Sequence, residues 1–155
     1  MARSTRPRKR YVPRYAPGHL LLPEQRDKIV LPVHAALAAI ELGAGRRTNR
    51  DTVAAFVNIA GTLCVKCKTS PTERAAVEAG VNAVVAADRR FMAHGRWGLS
   101  GAEMAAIRLA ITIGDHLLKR VNSAVLAACI DWIGSINERT PETLGTAQEP
   151  LAVAA

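Results

Sequence analysis

The sequence predicts an all-α protein, a bundle of four or five helices preceded by a disordered basic N-terminal arm. Its 49% hydrophobic content rests heavily on Ala, Val, Leu and Ile, while aromatic residues contribute only 4%. This mix suits closely packed helices better than a β-sandwich. A chain of 155 residues with a separate arm can build one core but not comfortably two. We therefore expect an arm over residues 1–22, a single helical domain over 23–139 and an irregular tail over 140–155.

The arm is predicted from its charge. Six basic residues precede the first acidic residue, Glu24, and most of the net charge of +8 comes from them. A cationic segment interrupted by Pro7, Pro13 and Pro17 buries little apolar surface, so we expect it to be disordered and to seek a polyanion.

The first helix should start at Pro23, because proline at the first helical position loses no hydrogen bond there. A stripe follows at helical spacing, made of Ile29, Val33, Leu37 and Ile40. Pro32 interrupts the stripe and should kink the helix or delay its regular start. The glycines at 43 and 45 should end it.

The second and third helices are predicted from start signals. Thr48 and Asp51 resemble a capping pair for helix two, which should end near Lys68. Its apolar face is expected to contain Val53, Phe56, Val57, Ala60, Leu63, Cys64 and Cys67. The run from Ser70 to Glu73 combines an N-cap hydroxyl, Pro71 and a glutamate at the third position. The stripe of helix three consists of Val77, Val81, Val84 and Phe91, with Asp88 on or beside its buried side.

The last helical region starts at a second capping box, Ser100 with Glu103. An apolar stripe then continues almost to Glu138. Gly114 interrupts it at a cost of about 1 kcal/mol, so the region is one long helix or two joined by a bend. We favour one helix, because the stripe keeps its phase across Gly114.

Two segments carry a resemblance to known proteins. They are the stretch HGRWGLSGAE at 94–103, followed by Ile107, Arg108 and Asp115, and the head RKRYVPR at 8–14. Together they resemble small helical proteins of proteobacterial prophages and mobile elements, some of which are labelled Fis-type regulators. The resemblance implies an all-helical protein with a basic head and no established catalytic residues. A tight helix-turn-helix, which a Fis label requires, is not evident in the sequence.

Basic residues are the candidate binding site, because Arg and Lys displace counterions from nucleic-acid phosphates while tyrosines can stack on bases. The candidates are Arg3, Arg6, Arg8, Lys9, Arg10, Tyr11 and Arg14 in the arm, and Arg46, Arg47, Arg50, Arg89, Arg90 and Arg96 in the domain. Alternatively, the arm is a solubilising tail or binds an acidic protein surface. The loop at Arg96 and Trp97 is first interpreted as structural, with Trp97 as its anchor.

Neither catalysis nor metal binding is expected. Cys64 and Cys67 have CxxC spacing, but both continue an apolar stripe, and a zinc site would need distant partners such as Cys129. Asp115 and His116 are adjacent on a helix and point about 100° apart, so the carboxylate does not orient the imidazole. We expect a non-enzymatic protein with no cofactor.

The sequence thus predicts a small accessory or regulatory protein of a prophage or mobile element that associates with nucleic acid through its arm. The alternative is a helical protein-interaction module, or a homo-oligomer formed through the last helix, with no nucleic-acid role. No apolar run reaches the roughly 18 residues of a membrane span, and no export signal is present. We therefore expect a cytoplasmic protein with no membrane partner.

Overall fold

The computed structural model describes residues 19–95 and 98–139, and these residues form five α-helices. The helices are α1 (Pro23–Glu41), α2 (Arg47–Lys66), α3 (Pro71–His94), α4 (Gly101–Leu118) and α5 (Ser123–Arg139). The predicted all-α bundle is confirmed. The predicted tail and residues 1–18 of the predicted arm lie outside the described residues.

The central helix of the bundle is α2, which contacts each of the other four helices. Its predicted face is buried from Val53 to Cys64, whereas Cys67 caps the end of the helix and is half-buried. The helix ends at Lys66, two residues earlier than expected, and Lys68 takes a positive φ of 50° in the connection to α3.

Capping side chains set three of the helix starts. In α3 and α4 the hydroxyls of Ser70 and Ser100 accept from the backbone N–H of Glu73 and Glu103, so both predicted capping boxes are confirmed. The prediction for α2 is wrong. Its start is fixed by Asn49, whose Oδ1 accepts from the Arg46 N–H at 2.8 Å, and Thr48 already lies inside the helix.

The first helix begins at Pro23 and continues through Pro32, so its start is not delayed. Gly43, with φ 72°, follows its C-terminus, as the glycine pattern predicts. The next glycine, Gly45, lies so close to α1 that a Cβ there would be 2.8 Å from Cγ1 of Ile40.

The preference for one long last helix is wrong. α4 ends at Leu118 and α5 starts at Ser123, where Oδ1 of Asn122 accepts from the Val125 N–H at 2.9 Å. Gly114 is not the break. It is buried in α4, and a Cβ there would lie 2.8 Å from Cε1 of Phe56.

The connection between α4 and α5 also holds the start of the described chain. His19 accepts a hydrogen bond from the Ser123 N–H at 2.9 Å, and Leu20 forms an antiparallel β-bridge with Asn122. Arg26, in the first turns of α1, lies 3.4 Å from Asp115 near the end of α4. The N-terminus of α1 and the C-terminus of α4 therefore share one end of the bundle.

Candidate nucleic-acid interface

Three of the predicted arginines meet at the other end of the bundle, where α2 starts and α3 ends. Arg46 and Arg47 are exposed, and the side chain of Arg47 is 84% accessible to solvent. Together with Gly45, Arg50 and Phe91 they line a shallow depression of about 200 Å³. We call these five residues the arginine corner.

Arg50 is the fixed member of the arginine corner. Only 19% of its side chain is exposed, and its guanidinium bonds to Oδ1 of Asp51 at 2.9 Å and lies 3.6 Å from Oδ1 of Asp88. The same guanidinium lies 5.6 Å from the centre of the Phe91 ring, which is within cation–π range. Arg50 therefore joins α2 to α3, and Asp88 lies beside the buried side of α3 as predicted.

Arg46 and Arg47 carry the available charge of the arginine corner. Arg47 has one weak ion pair, 3.9 Å from Asp51, and within the described residues the Arg46 side chain forms no hydrogen bond or ion pair. The N–H donors of such exposed arginines are available to form hydrogen bonds with a ligand such as phosphate.

Arg90 has a different role from the one expected. Its guanidinium bonds to both carboxylate oxygens of Glu103, at 2.7 and 2.6 Å, and to the carbonyl oxygen of Gly98 at 2.9 Å. The pKa of Glu103 falls to about 2, mainly because of the Arg90 hydrogen bonds and further because of the Ser100 backbone N–H. Arg90 thus ties α3 to the start of α4, and it directs three N–H donors to the protein itself.

The remaining predicted residues do not join this cluster. Arg89 is exposed on α3, one position after Asp88 and so about 100° around the helix from the side that faces Arg50. Arg3, Arg6, Arg8, Lys9, Arg10, Tyr11, Arg14 and Arg96 lie outside the described residues, as does Trp97. The His19–Ser123 contact attaches the arm at the end of the bundle opposite the arginine corner.

The cysteines lie near the arm end of the bundle. Cys64 and Cys129 are buried and Cys67 is half-buried. Burial raises the pKa of the Cys67 and Cys129 thiols, which favours the uncharged form. Among the described residues, no group of three or more His, Cys, Asp or Glu side chains is placed to hold a metal ion.

Asp115 lies in a cluster of charges. Its carboxylate lies 3.4 Å from Nε of Arg26 and 3.4 Å from Nζ of Lys119, and His116 beside it is exposed. The pair with Lys119 is a local i, i+4 contact on one helix face, whereas the Arg26 contact depends on the tertiary fold. The arrangement holds α1 against α4.

Phe91 is the one side chain of the arginine corner that the sequence did not identify as a site residue. The apolar stripe placed it in the core, yet the residue is 37% exposed. Its position next to the Arg89–Arg90 pair near the end of α3 was the available signal.

Comparison with known protein families, curated proteins and solved structures finds no match. The resemblance of the head and of residues 94–103 therefore stays a prediction. Within the described part of the chain, no helix combines the length and the apolar character that a bilayer span requires.

Proposed function

We propose that this protein associates with nucleic acid through two separate basic elements, the N-terminal arm and the arginine corner. The observation that carries the proposal is the exposure of Arg46 and Arg47 beside the fixed Arg50. These side chains add positive charges at positions fixed by the fold to the six positive charges of the arm. The protein would be a non-enzymatic accessory or regulatory protein, and its resemblance to mobile-element proteins suggests a prophage setting.

The positions of the two elements support contact with an extended polyanion. α2 has 20 residues, so it is about 30 Å long, and the two basic elements are attached near opposite ends of it. Nucleic acid presents phosphates continuously over such a distance, at one charge per roughly 1.7 Å of duplex axis.

The test is the salt dependence of binding. The logarithm of affinity for duplex should fall linearly with the logarithm of salt concentration, with a slope of about −0.9 per neutralised phosphate. Changing Arg8, Lys9 and Arg10 together to alanine should flatten the slope by close to three units, and R46A/R47A by close to two. R74A, an exposed arginine in the first turn of α3, is the matched control and should leave the slope unchanged.

The outcomes separate the two elements. If phosphate contacts dominate, both sets of substitutions should weaken binding to all sequences alike. Sequence-selective losses would place base recognition in the altered element. Absence of binding at low salt, or slopes that no variant changes, would refute the proposal.

A second candidate function is self-association through α5. Ile130 and Trp132 lie exposed on this helix, and Trp132 is 54% accessible to solvent. Between Ser123 and Ser135 the only charged residue is Asp131, so the exposed side of α5 is largely uncharged. Light scattering during size-exclusion chromatography, with W132R as the comparison, tests it: a monomeric wild-type protein excludes this function.

A further inference from the structure

The exposed ring of Phe91 is the unusual feature of the arginine corner. Phosphate binding by Arg46 and Arg47 needs no aromatic partner, and an exposed phenylalanine, here 37% exposed as a residue, leaves apolar surface in water. Phe91 is nevertheless placed where the three arginines converge, as one wall of the depression.

Arg50 and Phe91 form a preorganised stacked pair. The Arg50 guanidinium lies over the Phe91 ring, 5.6 Å from its centre, and it is bonded to Asp51 and 3.6 Å from Asp88. A ligand can therefore reach only the surface of Phe91 that Arg50 leaves exposed. Aromatic rings and guanidinium planes are the surfaces on which proteins stack nucleic-acid bases. Because Arg50 is already oriented, a base would lose little affinity to side-chain ordering.

The shape of the depression limits what can stack there. Its volume of about 200 Å³ lies below the range of roughly 300–1,000 Å³ for pockets that enclose a drug-sized ligand, so it suits partial enclosure of one planar base. In a duplex the base faces are covered by neighbouring base pairs and only the base edges reach the grooves. A stacking surface can therefore use only an unpaired base.

We infer that the arginine corner binds one unpaired nucleotide, its base stacked against the exposed surface of the Phe91–Arg50 pair and its flanking phosphates bound by Arg46 and Arg47, so that the protein prefers single-stranded to duplex nucleic acid. This inference rests on the proposed function and deepens it. The residues of the arginine corner would then have different roles. Phe91 contributes only to single-strand binding, whereas Arg46 and Arg47 contribute to the binding of both single strands and duplex.

The test is fluorescence anisotropy with the full chain and two labelled probes, an oligothymidine of about 12 nucleotides and a duplex of equal length, in the same salt. F91L should weaken oligothymidine binding by about 5- to 100-fold, the range of base–aromatic stacking, and change duplex binding by less than about twofold. F91Y keeps a ring for stacking and should bind oligothymidine within about twofold of wild type. M92L, at the exposed neighbouring position, is the control that should change neither affinity.

The possible failures are distinguishable. If the wild type binds neither probe, both the proposed function and this inference are refuted. If the wild type binds both probes equally and F91L changes nothing, the inference alone is overturned. Equal weakening of both probes by F91L, or equal losses in F91L and F91Y with unchanged circular dichroism, would show that the ring acts structurally and would also overturn it.

Discussion

Replacing Gly80 by alanine should destabilise the protein, although alanine is the better helix former. Gly80 lies in the middle of α3, where α3 packs on α4. A Cβ at this position would lie 2.5 Å from Cβ of Ala110 and 3.2 Å from the carbonyl oxygen of Ala106. Carbon atoms pack best at roughly 3.5–4.0 Å, so the new methyl group would overlap Ala110 by about an ångström.

Two opposing terms set the magnitude. Alanine gains about 1 kcal/mol over glycine in a helix interior, whereas overpacking a closely packed site costs about 1–3 kcal/mol and sometimes more. The steric term should win, because Ala110 and Ala106 present atoms fixed to the α4 backbone that move only with the helix. A 2.5 Å approach places this site in the upper part of the overpacking range, at about 2–3 kcal/mol. After the helix-propensity gain, G80A should lose about 1–2 kcal/mol, which lowers the urea midpoint by about 0.5–1 M for a slope near 2 kcal/mol/M.

Gly61 provides the matched control. It lies inside α2, and a Cβ there would be 3.8 Å from Cγ2 of Val81, an ordinary contact distance. G61A should therefore stabilise the protein by about 0.5–1 kcal/mol through helix propensity alone. Urea unfolding followed by circular dichroism at constant pH measures both variants.

A double variant checks the cause. Removing the opposing methyl group in G80A/A110G should recover part of the loss, and the interaction free energy of the cycle then reports the clash itself. If G80A is as stable as wild type, or if the two substitutions are simply additive, α3 and α4 do not pack as closely as described.

Three further predictions concern single side chains. Cys64→Ser places a hydroxyl in the core and should cost about 1–3 kcal/mol in urea unfolding, while a chelator should leave the wild type unchanged; unfolding on chelation would instead indicate a metal site. The depressed pKa of Glu103 stabilises the folded state above the ordinary carboxyl range, and this contribution should be lost as pH falls from about 4.5 to about 2. E103Q should therefore show a flatter decline of the urea midpoint over that range, and an identical decline would contradict the Arg90 pairing. Asn122→Ala removes the cap of α5 and should cost about 0.5–2 kcal/mol in thermal or urea unfolding, and no loss would show that the Val125 N–H finds another acceptor.

The helix starts that could be predicted from the sequence are those fixed by local chemistry. Pro23, Ser70 and Ser100 begin their helices through groups within three residues of the start, and this information is contained in a short window of sequence.

The break before α5 was missed because its cause is partly non-local. The apolar stripe keeps its phase from Leu118 through Val125, so periodicity gave no warning. Asn122 was a usable N-cap signal, but the turn is also held by His19 from the far end of the chain. Glycine weakens helices, so Gly114 was a candidate for the break. Its missing side chain instead leaves space for the Phe56 ring.

The candidate site was predictable in composition but not in arrangement. By charge alone, four arginines of the domain were equally good candidates for phosphate binding: Arg46, Arg47, Arg50 and Arg90. Asp51 is a local partner of Arg50, but Asp88, which also faces Arg50, and Glu103, which binds Arg90, lie more than ten positions away and come close only in the folded structure. A sequence pattern shows that a basic residue is present. It does not show whether an acidic side chain neutralises that residue in the folded protein.

The contact between His19 and Ser123 has a consequence for how the protein folds. It joins residues about a hundred positions apart, so closing it costs more chain entropy than the contacts within a helix do. Since α5 otherwise packs mainly on α2, this long-range contact is one of the few that hold the last helix in place. Native-state hydrogen exchange should therefore find α5 opening at a lower free energy than the rest of the bundle, and its amides should be the first to exchange when residues 19–22 are removed.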